Sequence, residues 1–110
     1  MLEKTINNIE TNIKNAGSVT EKDREDLLNL LSTLKSEILE LSKTQAEHAE
    51  SITGFTKVST HEATRVKKNQ NLVELSLSGL ASSLDELENT HPKLVETVNK
   101  ISQILANMGI

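Results

Sequence analysis

The chain has 110 residues and no cysteine, which excludes a disulfide framework, a thiolate nucleophile and a cysteine-ligated zinc site. Its net charge is −4, and Phe55 is its only aromatic residue, so general nucleic-acid binding is not expected. No apolar run reaches the length of about 20 residues that a membrane-spanning helix needs. The length predicts a single domain over 1–110, and the N-terminus lacks the pattern of a secretory signal, so we expect a cytoplasmic protein.

The first half of the chain carries two amphipathic helical patterns. Apolar residues at steps of four and three predict a first helix over about 3–15, with Gly17 as its C-cap glycine. Thr20 then has the position of an N-cap before a cluster of acidic residues. A second leucine-rich stripe predicts a helix over about 21–50, firm to residue 44 and increasingly polar beyond it.

A segment of low helix propensity follows, at about 51–59. It contains a glycine and several β-branched residues, which favour a loop or a frayed turn. A strand is the alternative interpretation, but no second strand candidate exists to pair with it. Ser59 to Glu62 has the spacing of a capping box and predicts the start of a third helix over about 60–89.

The last helix is predicted at about 92–107. Pro92 suits the first position of a helix, because its missing N–H would have no partner there. His91 or Thr90 is the predicted cap, and Gly109 follows the last apolar residue as a C-cap glycine should. His91-Pro92 is thus interpreted as a helix boundary.

These patterns predict an all-α fold in which antiparallel helical hairpins form a four-helix bundle or a coiled coil. The two short helices cannot cover the stripes of the two long ones, so we expect a homo-oligomer, with a monomeric bundle as the alternative. The predicted core consists of Leu27, Leu31, Leu34, Ile38, Leu77, Leu80, Leu84, Leu87, Leu94, Val98, Ile101 and Leu105.

Sequence patterns that would indicate catalysis are weak. His48, His61 and His91 lie far apart along the chain and have no recognised ligand spacing around them, so they are interpreted as solvated or capping residues. The carboxylates are interpreted as solvated helix faces, and the four glycines form no phosphate-binding loop. We therefore expect no enzyme activity, no metal and no cofactor.

Two groups of residues are candidate partner contacts. Arg65, Lys67 and Lys68 belong to the only basic cluster and could meet an anionic partner, although an exposed helix face paired with acidic residues is the favoured interpretation. Ile52 and Phe55 are candidates for an apolar contact, because the stripe of the second helix fades there.

The C-terminal stretch ENTHPKLVETVNKISQILANMGI contains Glu-x-x-His-Pro-x-Leu and a helix that ends in Met-Gly-Ile. It resembles the closing signature of a family of short bacterial proteins, domain of unknown function 4404. The matching residues are Glu88, His91, Pro92, Leu94, Met108, Gly109 and Ile110. The resemblance covers about 1–42 and 75–110, whereas 43–74 is longer than the family pattern. It implies a small bacterial helical protein and transfers no site residue, because the family has no assigned activity.

The resulting hypothesis is a non-enzymatic helical interaction or scaffold protein that self-associates and can bind a further, unidentified protein. Two alternatives remain open. One is a peripheral protein of anionic surfaces or membranes, although two or three cations give only weak binding, about 1 kcal/mol each. The other is a signalling-type bundle resembling chemoreceptor helices, which is suggested by the Ser- and Ala-containing heptads of 73–90.

Overall fold

The computed structural model describes residues 1–109. Ile110, the last residue of the family-like signature, lies outside them. All regular secondary structure of the described residues is helical, with no strand, which confirms the predicted all-α class. The helices are α1 (Leu2–Asn15), α2 (Glu21–Ser42), α3 (Ala46–Thr64), α4 (Gln70–Ser82) and α5 (Pro92–Met108).

Helix α3 lies at the centre of the fold and contacts each of the other four helices. Around it, α2 packs against both α1 and α5, and α5 packs against α4. The radius of gyration is 12.9 Å, close to the roughly 13 Å expected of a compact chain of this length. The all-α class therefore holds. The four-helix bundle or coiled coil is not confirmed, because the fold has five helices with α3 at their centre.

The core is built from the leucine and isoleucine stripes of α1, α2 and α5. Each predicted core residue is buried except Leu77, which is half-buried against the same cluster. Ile6, Ile9 and Ile13 of α1 complete the core from the other side of α2 and α3. Full burial of one such side chain contributes roughly 1.5–3 kcal/mol, so these stripes are the main source of stability.

The predicted loop at 51–59 is wrong, because this segment forms the middle of α3. The hydroxyls of Thr53, Thr56, Thr60 and Thr64 each donate to the carbonyl oxygen four residues earlier, at 2.7–2.8 Å. Each of these four threonine hydroxyls is thereby satisfied within its own helix. Small side chains also let four helices approach α3, so tertiary packing overrides the low helix propensity.

The predicted helices over 21–50 and 60–89 are each interrupted. Helix α2 ends at Ser42, and the chain after α4 passes through turns before α5. The capping box predicted at Ser59 to Glu62 lies inside α3 and caps nothing. Helix α4 begins instead after Asn69, whose side-chain oxygen accepts a hydrogen bond from Leu72 N at 3.2 Å.

The ends of α1 and α5 differ from the predicted glycine caps in conformation. Gly17 has no positive φ, and the end of α1 is held by the Arg24 side chain. Its guanidinium donates hydrogen bonds of 3.1–3.4 Å to the carbonyl oxygens of Ile13, Lys14, Ala16 and Val19. Gly109 is the C-cap of α5 but is right-handed, with φ −79°. A Cβ there would lie 2.7 Å from Val73 Cγ1, so close packing on α4 requires the glycine.

The caps of α2 and α5 confirm two of the predicted helix starts. Thr20 Oγ1 accepts a hydrogen bond from Asp23 N at 3.2 Å. Pro92 opens α5, and His91 is its N-cap residue, although the His91 side chain bonds Thr90 Oγ1 and not a helix N–H. His91-Pro92 is therefore a joint between helices.

Candidate functional site

Four large apolar side chains are exposed side by side on the outer edge of α3 and α4. Phe55 is 40%, Val58 48%, Leu72 39% and Leu75 69% exposed. They line one shallow depression of about 200 Å³, which we call the apolar groove. Exposed apolar residues that occur singly need no explanation, but a contiguous group marks an interaction surface.

The groove follows from the antiparallel packing of α3 on α4. Phe55 and Val58 are three residues apart in α3, as are Leu72 and Leu75 in α4, so each pair covers about one turn of its helix. The Phe55 ring packs against Gly79, where only a glycine leaves room for it, because a Cβ at this position would come within 2.7 Å of the ring carbon Cδ1. The two helices thus form a continuous apolar edge.

A buried carboxylate lies at one side of the groove. Glu62 is only 9% exposed, and its Oε1 lies 3.1 Å from Arg65 Nη1. The two groups form an ion pair without good hydrogen-bond geometry, so Oε1 has no hydrogen-bond partner among the residues described. Ser59 Oγ, about one turn earlier in α3, is likewise buried without a hydrogen-bond partner among the residues described. The groove therefore has an apolar floor, and Glu62 is part of its lining.

The surface between α3 and α4 continues past Phe55 into a polar part. Glu47, His48, Ser51, Ser82 and Ser83 lie around it, together with Phe55 and Gly79. His48 Nε2 is within hydrogen-bond distance of the Ser83 carbonyl oxygen, which ties this ring nitrogen to the end of α4. Within residues 1–109, no three His, Asp or Glu side chains converge as a metal site would require.

The predicted basic contacts do not form one free patch. Arg65 is engaged by Glu62, and Lys68 Nζ donates a hydrogen bond of 2.8 Å to the Met108 carbonyl oxygen at the end of α5. Lys67 is exposed in the connection between α3 and α4. Two of the three cations thus have intramolecular roles, which leaves less positive charge for an anionic surface.

The predicted apolar contact at Ile52 is wrong, since Ile52 is fully buried and faces the core of the fold. Phe55 remains a candidate because its ring lies at the groove. The sequence patterns did not identify Val58, Leu72 and Leu75 as residues of this surface. Leu75 could have been recognised as an exposed residue, because it lies outside the apolar stripe of α4 to which Val73 and Leu80 belong. No sequence pattern, however, showed which helix it would lie beside.

Comparison with known proteins adds no relative: no family model, curated protein or solved structure matched the chain. Across the described residues, no helix combines the length and apolar character needed to cross a membrane. The geometry of the apolar groove is therefore the main observation that bears on function.

Proposed function

We propose that this chain is a non-enzymatic helical interaction protein and that the apolar groove is its contact surface. The observation that carries this proposal is the contiguity of Phe55, Val58, Leu72 and Leu75, which are exposed together while almost all other large apolar side chains of residues 1–109 are covered. Within the same residues, the other strongly exposed apolar side chains, Met1 and Val66, do not line the groove.

The groove has the composition of an interface centre. Protein interfaces place apolar and aromatic side chains at the centre and polar groups at the rim. Phe55 and Leu72 form the partly covered floor, and Val58 and Leu75 rise from it with more of their surface in water. Because burial of apolar area is the main favourable term in association, Leu75 is the residue from which a partner gains most.

The alternative functions have less support. An anionic-surface role requires free cations, and Arg65 and Lys68 make intramolecular contacts. A chemoreceptor-like bundle requires a continuous helix over 73–90, and α4 ends at Ser82. A small bacterial helical protein, as the family resemblance implies, is compatible with an interaction role, and we retain it, together with the expected cytoplasmic location, as part of the proposal.

Site-specific photo-crosslinking in cells of the native host tests the proposal. A photoreactive phenylalanine analogue replaces Leu75, at the apolar groove, and in a matched control it replaces Asn8, which is exposed on α1. We expect protein adducts at position 75 and none of the same mass at position 8. Equal adduct patterns at both positions, or none at position 75, would show that the groove is not a contact surface.

A further inference from the structure

We infer that the apolar groove receives an amphipathic helix of another protein, with carboxylates at one end of its apolar face. This inference rests on the proposed function, since it names the kind of partner that binds the same groove. The walls of the groove are two helices, α3 and α4, and the connection between them carries three cations. The first feature favours a helical partner, and the second favours an acidic one.

The groove offers a partner segment no sheet edge on which to add a strand. Extended peptides gain affinity in that way, and residues 1–109 contain no strand. A segment that leaves water for the groove must therefore satisfy its own N–H and C=O groups, as an α-helix does. Side chains of a third helix also fit into the gap between two packed helices. This geometry favours a partner helix with apolar residues at i, i+3 or i+4, and i+7.

The solvent-facing side of α4 has the low charge of an interface centre. Glu74 is the one charged residue among the 13 of this helix, whereas charged residues make up 25% of the chain. Its other exposed residues include Asn71, Ser78 and Ser82, which are short and uncharged. Interface centres are depleted of charged residues in the same way. A helix in the groove can therefore extend over α4 without burying a row of charges.

Cations are concentrated at the end of the groove where its two walls are joined. Glu62 lines the groove and pairs with Arg65, whose Nε donates to the Lys67 carbonyl oxygen, so this connection lies beside the groove. Lys68 donates to the Met108 carbonyl oxygen, which is uncharged and leaves the ammonium charge in place. No carboxylate of residues 1–109 pairs with Lys67 or Lys68. Two positive charges therefore remain at this end of a chain whose net charge is −4.

The opposite end of the same surface carries a negative charge. Glu47 is exposed there, near Ser51 and Ser82. A partner helix with carboxylates at one end of its apolar face is therefore complementary in one orientation, with those carboxylates at Lys67 and Lys68. The reverse orientation would set them against Glu47. Charges of this kind select the orientation and speed the association, while burial of apolar area supplies most of the affinity.

An anionic bilayer is a less suitable partner for this surface. Two cations attract a membrane only weakly. A bilayer also senses every charge within a Debye length of about 8–10 Å, so it would meet the exposed Glu47 and Glu74 as well. The net charge of −4 adds to this repulsion. A single helix covers only the groove and the cations beside it, so the local positive charge is sufficient.

Mass spectrometry of crosslinked peptides tests the chemistry of the partner. The photoreactive analogue replaces Leu75 in one chain and Asn71, one turn nearer the cations on the exposed side of α4, in another. We expect both positions to reach one segment of the same protein, with apolar residues at helical spacing. The site reached from position 71 should lie nearer to its carboxylates. A segment without that spacing, or with Lys and Arg in place of the carboxylates, would overturn the inference.

Charge reversal measures what the cations contribute. Lys67→Glu should reduce the yield of the adduct at position 75 roughly fivefold, because it replaces an attraction to the partner's carboxylates by a repulsion. Lys4→Glu makes the same change at an exposed position of α1 and should leave the yield unchanged. Circular dichroism should show equal helicity for both variants. Equal yields, or a higher yield for Lys67→Glu, would overturn the acidic partner.

The mass of the adduct at position 75 distinguishes the other occupants. An adduct of twice the chain mass would place a second copy in the groove. Co-sedimentation with phosphatidylserine vesicles, lost in Leu75→Glu, would place a membrane there. Either result would overturn the helical partner and leave the groove as the contact surface. Absence of any adduct at position 75 would overturn the proposed function itself.

Discussion

The ring of Phe55 in α3 lies directly on Gly79 in α4, at a place where any side chain on α4 would meet the ring. A Cβ at Gly79 would be 2.7 Å from the ring carbon Cδ1. The ring therefore lies flush between the two helices, with 40% of Phe55 still exposed, and it separates the apolar groove from the polar part beyond it. Gly79 thus determines the shape of the surface to which we assign the function.

Alanine at Gly79 and at Gly54 should have opposite effects. Gly79→Ala forces the Phe55 ring outward, and overpacking of this kind costs roughly 1–3 kcal/mol, partly offset by the helix propensity of alanine. Gly54→Ala meets open space and should stabilise the fold by about 0.5–1 kcal/mol. Urea unfolding at low protein concentration measures both changes. Stabilisation of equal size by both variants would contradict the packing of Phe55 on Gly79.

The same substitution should have different effects at Leu34 and Leu75. Leu34 is fully buried, so Leu34→Ala should lower the free energy of unfolding by about 2–5 kcal/mol, and Leu34→Asp should unfold the chain. Leu75 is 69% exposed, so Leu75→Ala should change the free energy of unfolding by no more than about 0.5 kcal/mol. Circular dichroism during thermal unfolding distinguishes them. Retained helicity and an unchanged midpoint in Leu34→Asp would refute the core.

Arg24 should contribute more to stability than any exposed lysine. Arg24→Ala removes the charge-assisted hydrogen bonds that end α1 and should cost about 2 kcal/mol. Arg24→Lys should recover only part of this, because one ammonium cannot reproduce the guanidinium fork. Lys22→Ala breaks only the exposed pair with Asp26 and should cost less than about 0.5 kcal/mol. Equal losses for Arg24→Ala and Lys22→Ala in chemical unfolding would argue against this role.

Glu86 is the non-glycine residue of the described chain with a positive φ, 75°, in the turns between α4 and α5. This left-handed conformation costs a residue with a Cβ roughly 1–2 kcal/mol. Glu86→Gly should therefore stabilise the fold by about 0.5 kcal/mol after the added freedom of the unfolded chain is subtracted. Glu88→Gly, in the same turns, should destabilise it. Differential scanning calorimetry compares the stability of Glu86→Gly with that of Glu88→Gly. Destabilisation by both substitutions would contradict the strain at Glu86.

Hydrophobic periodicity was sufficient for the parts of the fold in which one helix buries one stripe. The isoleucines of α1 and the stripe of α5 from Leu94 to Leu105 predicted helices of nearly the right length. The leucines from Leu27 to Leu41 predicted the start and the buried face of α2, but not its end at Ser42. Local chemistry was also sufficient at Thr20 and Pro92. In these places the local sequence of one helix and its ends is sufficient to predict where the helix lies and how it begins.

The centre of the molecule could not be predicted in this way, because its helix is specified by its neighbours. The threonines of 51–59 have low helix propensity, and nothing local shows that four other helices will cover them. The apolar groove depends on the same arrangement. Only after α4 is placed beside α3 do Phe55 and Leu75 become neighbours, so the site could not be assembled from spacing along the chain.

The threonine-rich interior of α3 also makes the molecule cooperative. A peptide of 46–64 should be largely non-helical in water, since it is short, β-branched and without a side-chain N-cap bond. In the folded chain each of the other helices packs against α3, so none keeps its full set of contacts once α3 melts. We therefore expect all five helices to melt in a single transition, and protection from hydrogen exchange to be lost together in α1, α2 and α5. The segment least able to form a helix alone thus sets the threshold at which the entire chain loses its structure.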